Sequence, residues 1–167
     1  APNGGNVPGS VAVDISIPAD VWTRVTGTQP DPPRNLVLAV GAAALVAVLW
    51  RPVWRLARNT VTIAHEGGHA AVALLCGRRL SGIRLHRDTS GVTVSYGKPR
   101  GPGMVFTVLA GYITPSLIGL GGAWLLAAKH ITLLLWTSIL LLALMLVSIR
   151  NFYGMVTVIL TGGAVFA

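Results

Sequence analysis

The run ITLLLWTSILLLALMLVSI, Ile131 to Ile149, contains no ionisable residue, no proline and no glycine. Hydrocarbon offers a backbone no water to bond to, so a segment of this kind must satisfy its own N–H and C=O groups as a helix. Four other apolar stretches accompany it: Leu36 to Trp50, Thr60 to Cys76, Met104 to Ala128 and Phe152 to Ala167. The first is short for a hydrocarbon core of about 30 Å unless Trp54 and its neighbours extend it. With 53% hydrophobic residues, 11% charged residues and a mean hydropathy of +0.67, the chain lies outside the range of soluble domains. It reads as an all-α polytopic membrane protein of about five transmembrane helices, in contact with membrane lipid.

Residues 1–34 are rich in Gly, Pro, Asn and Asp and show no helical periodicity, which predicts an extended N-terminal arm ahead of a transmembrane domain over 35–167. The net charge of +8 raises the question of nucleic acid. The basic residues, however, sit in the connections between apolar runs and are not interleaved with aromatics, so no nucleic-acid partner is expected. If 77–103 is cytoplasmic, nine Lys and Arg fall on that side, with Arg24 and Arg34 among them, against Arg51, Arg55, Arg58 and Lys129 opposite. The positive-inside rule then places 77–103 in the cytoplasm. Cys76, the only cysteine, excludes an intrachain disulfide and is expected to be a small buried residue.

The second apolar stretch carries His65, Glu66, Gly67, Gly68 and His69, the pattern HExxH. On a helix, residues i and i+4 share a face, so both imidazoles can bind one Zn²⁺ while the intervening glutamate reaches water beside it as general base. Ionisable groups cost about 2.5–3.5 kcal/mol each in a spanning helix, and a metal compensates them. Gly67 and Gly68 suit either a close approach to the backbone or close helix packing. In the next stretch, Gly111, Pro115 and Gly119 recur every four residues. This face is expected to pack on the HExxH helix, with a kink near Tyr112 and with Thr114 and Ser116 bonding backbone freed by the proline. Tyr112 offers a hydroxyl to the site or to an interhelical hydrogen bond.

Between these stretches, residues 81–97 read as a β-hairpin. Ile83 and Leu85 alternate with Arg84 and His86, turn residues follow over 87–91, and Val92, Val94 and Tyr96 alternate with Thr93 and Ser95. One apolar face and one polar face are expected. Such a hairpin can accept an extended peptide by strand addition or can simply connect two spans. His86 and Asp88 read as turn residues and not as metal ligands.

AHEGGHAAVALLCG, SGVTV at 90–94, AGYITPSLIGL at 110–120 and RNFYG at 150–154 together resemble the site-2 protease family of intramembrane zinc metallopeptidases, in one of its compact bacterial branches. The resemblance covers about residues 59–160. It implies Zn²⁺ held by His65 and His69, Glu66 as the catalytic base, a transmembrane peptide substrate and a multi-pass protein of the bacterial inner membrane. It also implies a third ligand, usually an aspartate in a later helix. Here the aspartates are Asp14, Asp20, Asp31 and Asp88, none in a later span. The ligand is therefore expected beyond Ala167, or from the amide oxygen of Asn151, whose other role is a helix cap. The alternative function is a catalytically degenerate, protease-like scaffold that serves as accessory subunit of a larger membrane complex, with other subunits as its partners. A metal-ion transporter would need more polar residues in the other spans than this chain has.

Overall fold

A computed structural model describes residues 16–166. Six helices and one hairpin follow in the order α1 (Ser16–Thr26), α2 (Arg34–Leu49), α3 (Arg51–Leu75), β1 (Arg79–Leu85), β2 (Gly91–Tyr96), α4 (Pro102–Ala127), α5 (Ile131–Ser148) and α6 (Phe152–Phe166). The all-α framework with a small hairpin between the second and third apolar stretches is as expected. Among the described residues two helices, α4 and α5, are long and apolar enough to cross a membrane, and a third span results if the sharply bent pair α2 and α3 counts as one. The last helix is a shorter apolar one, so the expectation of about five spans is met only in part.

The helix boundaries follow local chemistry. Pro52 and Pro102 occupy the first turns of α3 and α4, where a missing N–H costs nothing and the fixed φ suits a helix. At the end of α3, Gly77 adopts φ +70°, and the amides of Gly77 and Arg78 donate to the carbonyls of Leu74 and Ala73, which is a Schellman cap. The chain can therefore turn directly from α3 into β1. Pro115 lies inside α4, which continues through it as one helix of 26 residues.

Part of the expected extended arm is helical, since α1 occupies Ser16–Thr26 and packs on α5; residues 1–15 lie outside the described range. Lys129 Nζ meets Asp31 Oδ2 at 2.8 Å, so the segment after α1 stands at the α4–α5 turn. This is the opposite end of α4 from its start, where the chain leaves the hairpin; with 26 residues at 1.5 Å each, α4 is about 39 Å long. Arg24 and Arg34 therefore belong with Lys129 and not with 77–103. The Lys and Arg count becomes seven against six, and charge bias no longer selects a side.

β1 and β2 pair antiparallel, with Ile83 opposite Thr93 and Leu85 opposite Gly91. The expected division into an apolar and a polar face does not hold, because opposed residues share a face. Ile83 and Leu85 are buried with Thr93 and Gly91 beside them, while Val92, Val94 and Tyr96 are exposed. The hairpin lies along the C-terminal half of α3, with Thr93 at Glu66 and the turn residue Thr89 at Thr62. One core joins these elements: Ile63 and Ala70 of α3, Ile83 and Leu85 of β1, Met145 and Ile149 at the end of α5, and Val158 of α6.

Candidate active site

α3 and α4 run antiparallel at very close range. A Cβ on Gly68 would lie 2.9 Å from the Ala110 carbonyl oxygen and overlap the Thr114 side chain. Gly68 therefore serves close packing, and Thr114 lies over it instead of bonding the backbone near Pro115. A Cβ on Gly111 would run into the His69 imidazole, so glycine makes the space that this ring occupies. A Cβ on Gly119 or Gly121 would meet nothing within 4 Å, and the α4 face that meets α3 is Thr107, Ala110, Gly111 and Thr114, not the predicted Gly111–Pro115–Gly119 line.

The HExxH spacing brings the two imidazoles together on one side of α3. Nε2 of His69 lies 3.1 Å from Nε2 of His65, and the rings meet edge to face at 4.6 Å between centroids. Nδ1 of His69 is 2.7 Å from the Thr107 carbonyl oxygen. That carbonyl can only accept, so neutral His69 carries its proton on Nδ1 and presents a lone pair at Nε2, a tautomer assigned from the hydrogen-bond partner. Two ligand nitrogens about 2.0–2.1 Å from one tetrahedral ion are about 3.3 Å apart. The pair therefore fits a shared divalent ion, and the bond to Thr107 is of the kind that orients metal-binding histidines.

Glu66 is 4% exposed, an environment that a carboxylate tolerates only with partners. Its partner comes from the hairpin. Thr93 Oγ1 lies 2.6 Å from Glu66 Oε2 and 3.1 Å from the Glu66 carbonyl oxygen. A Cβ on Gly91 would be 2.5 Å from Glu66 Cγ, so glycine lets the strand press against the carboxylate. A cavity of about 260 Å³ opens beside His65, Glu66 and His69 and is walled by Thr93, Met104 and Val108. A second, of about 300 Å³, reaches His65 and Glu66 from the side of Arg58, Thr62 and Ser90.

The other candidates stand elsewhere. Asn151 is not brought to the histidines: its Oδ1 accepts from the Leu85 amide at 3.1 Å and its Nδ2 donates to the Leu85 carbonyl at 2.7 Å. Both ends of its carboxamide are bonded to the Leu85 backbone, and the expectation of an Asn151 zinc ligand has no geometric support. Among the described residues, no group of three His, Cys, Asp and Glu side chains is placed to hold a metal. The Tyr112 ring packs edge-on against His65 at 5.1 Å, and its side chain is 71% exposed. Asp88 is a turn residue, as expected; the Ser90 hydroxyl and amide donate to it and hold its carboxyl below the usual value. Cys76, expected to be buried, is exposed.

Thr93 is the site residue to which the sequence assigns no role, although it lies in the SGVTV stretch. The signal for its role is the hairpin register: pairing outward from the turn sets it opposite Ile83, hence on the face that meets α3.

No curated protein and no solved structure matches the chain. The profile of a peptidase family does, over residues 38–167, which include both helices of the site and the hairpin. The M50 peptidases to which this profile belongs are of the site-2 protease type and are generally zinc-dependent, in keeping with an HExxH pair whose imidazoles face each other within an apolar bundle. By that match over most of its length, the chain belongs to the Peptidase M50B-like family.

Proposed function

We propose that the protein is an intramembrane zinc metalloprotease that cleaves peptide bonds of membrane-embedded substrates, with His65 and His69 as metal ligands and Glu66 as general base. The observation that carries this reading is the 3.1 Å approach of the two imidazole Nε2 atoms in the same cavity as the Glu66 carboxylate. Zinc supplies Lewis acidity, which lowers the pKa of water to about 7 and polarises a carbonyl. Glu66 removes the proton from the attacking water and delivers it to the departing amine, the two halves of general acid–base catalysis. Thr107 keeps the His69 ring in the tautomer that has a free Nε2 lone pair.

The hairpin supports an extended substrate. The bond from the His86 amide to the Ser90 carbonyl marks a hydrogen-bonded pair, and by alternation the amides and carbonyls of Gly91 and Thr93 point away from β1. The opposite edge, at Ile83 and Leu85, is taken by residues 149–151. A substrate strand therefore has the outer edge of β2 to pair with, next to the cavity. A helical substrate keeps its carbonyls bonded to itself, so strand addition also exposes the scissile bond.

The test is metal analysis of the purified protein and of His69→Ala, together with cleavage of a membrane-embedded peptide by wild type and Glu66→Gln. The expected results are near-stoichiometric zinc lost in His69→Ala, and zinc retained but cleavage lowered about 10²- to 10⁴-fold in Glu66→Gln. Equal and negligible zinc in wild type and His69→Ala overturns the reading and leaves the accessory-scaffold alternative.

A further inference from the structure

Thr93 and Asn151 act on opposite strands of one hairpin, and each does something that its strand alone cannot. The Thr93 hydroxyl has one proton to donate. The shorter of its two contacts, 2.6 Å, is to Glu66 Oε2, so the proton belongs to the carboxylate and the other Glu66 oxygen is left free to face the cavity. On the other strand, residues 149–151 lie along β1 as an incomplete third strand. The Arg150 amide donates to the Ile83 carbonyl at 2.9 Å, Ile149 bridges Ile83 in parallel, and the Asn151 side chain bonds both the amide and the carbonyl of Leu85. Asn151 thus reproduces, with a side-chain carboxamide, the pair of bonds that a neighbouring backbone would make. The Arg150 side chain lies over Gly82, and its Nε bonds the Ser81 carbonyl.

We propose that Thr93 is a positioning residue that orients the Glu66 carboxylate, and that Asn151, as the stand-in for a third strand, fixes the hairpin so that Thr93 can do so. The inference rests on the reading of Glu66 as the base. It makes the α5–α6 junction part of the catalytic frame although no atom of it lines the cavity. A base displaced by about 1 Å loses about 10²-fold in rate, so a hairpin held on one edge only is a poor carrier for the partner of a base.

Glu66 is the only glutamate among these 167 residues, so incorporating glutamate with a ¹³C-labelled side-chain carboxyl gives its carboxylate a single resonance in this chain, zinc-loaded and in bilayers. In Thr93→Val that resonance is expected to shift and broaden, and in Thr93→Ser to return to the wild-type position. Asn151→Ala is expected to move it in the same direction as Thr93→Val while the Leu85 amide exchanges faster. Zinc stoichiometry stays the same in all three variants, because neither residue touches an imidazole. On a membrane-embedded peptide, Thr93→Val lowers kcat about 10- to 100-fold with KM within about twofold, and serine restores it. A Glu66 resonance in Thr93→Val that coincides with wild type overturns the proposal, as does a serine variant that fails to restore it. If Asn151→Ala does not fold, the Thr93 pair decides. A zinc-loaded wild type that cleaves no peptide removes the protease reading, and the Glu66 resonance still decides whether Thr93 orients the carboxylate.

Discussion

Two side-chain carboxamides stitch this bundle together, one at each end, and they do different things. At the hairpin end, Asn151 bonds the amide and carbonyl of Leu85 across 66 residues of chain. At the far end, Gln29 Oε1 accepts from the Ile131 amide at 2.7 Å, and its Nε2 donates to Thr132 Oγ1 and the Gly27 carbonyl. Each satisfies backbone that would otherwise be left unpaired. The element that Asn151 holds carries the partner of Glu66, whereas Gln29 holds a helix start with no chemistry near it. Association of helices in lipid has little hydrophobic drive and relies on packing and hydrogen bonds, so both ends need such stitches; only one is joined to a site.

The largest expected difference between the ends lies along α4 itself. Gly111→Ala drives a methyl into the His69 ring, and since the ring is also tied to the Thr107 carbonyl it cannot yield without losing its orientation. Zinc affinity is expected to fall about 10- to 100-fold, the scale seen when the groups that orient a ligand are removed. Gly119→Ala, two turns further on, enters open space and is expected to leave zinc binding unchanged, with stability equal to wild type or up to about 1 kcal/mol higher from helix propensity. Zinc titration of both variants checks this. Equal losses in the two would mean that α4 packs on α3 through a different face.

Next in size is Gln29→Ala. It removes the two bonds that cross to α5, from the Ile131 amide and to Thr132 Oγ1, at about 0.5–1.5 kcal/mol each, so resistance to unfolding in mixed micelles should drop by about 1–3 kcal/mol. Zinc stoichiometry and the Glu66 carboxylate resonance should stay at wild-type values. A zinc loss comparable to that of Gly111→Ala would dissolve the distinction between a closing stitch and a catalytic one.

The legible part of this molecule was its apolar segmentation, its hairpin and the HExxH helix, because each rests on local periodicity: runs that must be helices in hydrocarbon, alternation of period two, and an i, i+4 pair. What could not be read depended on partners distant in sequence. Asn151 looked available as a ligand because nothing local says that Leu85, 66 residues earlier, uses both ends of its amide. Alternation alone assigns β2 an apolar face of Val92, Val94 and Tyr96 and a polar face of Thr93 and Ser95; cross-strand register turns Thr93 inward to a buried carboxylate, and the valines face outward. Arg24 and Arg34 look as if they belong to the hairpin end for the same kind of reason. Their side of the bundle is set by Gln29 and Asp31 meeting the α4–α5 turn, contacts that span about a hundred residues.

The smallest expected effect separates two explanations of that turn. α3 and α4 end in the same kind of cap, with the residue after the helix in the left-handed region: Gly77 at φ +70° and Lys129 at φ +63°. The Lys129 and His130 amides donate to the Leu126 and Leu125 carbonyls, as Gly77 and Arg78 do at α3. Glycine adopts this conformation freely, whereas a lysine there costs about 1–2 kcal/mol. What lysine adds is the ion pair with Asp31, but both side chains are largely exposed, at 48% and 75%, and such pairs contribute about 0.2–1 kcal/mol. The backbone cost is the larger number, so Lys129→Gly should raise stability, by about 0–2 kcal/mol, even though it removes the pair. Asp31→Asn removes the pair without relieving the backbone and should lower stability by no more than about 1 kcal/mol, with the loss shrinking as salt is added. If unfolding in mixed micelles instead shows Lys129→Gly falling as far as Asp31→Asn, the ion pair holds the far end together, and the Gln29 stitch has been given too large a share.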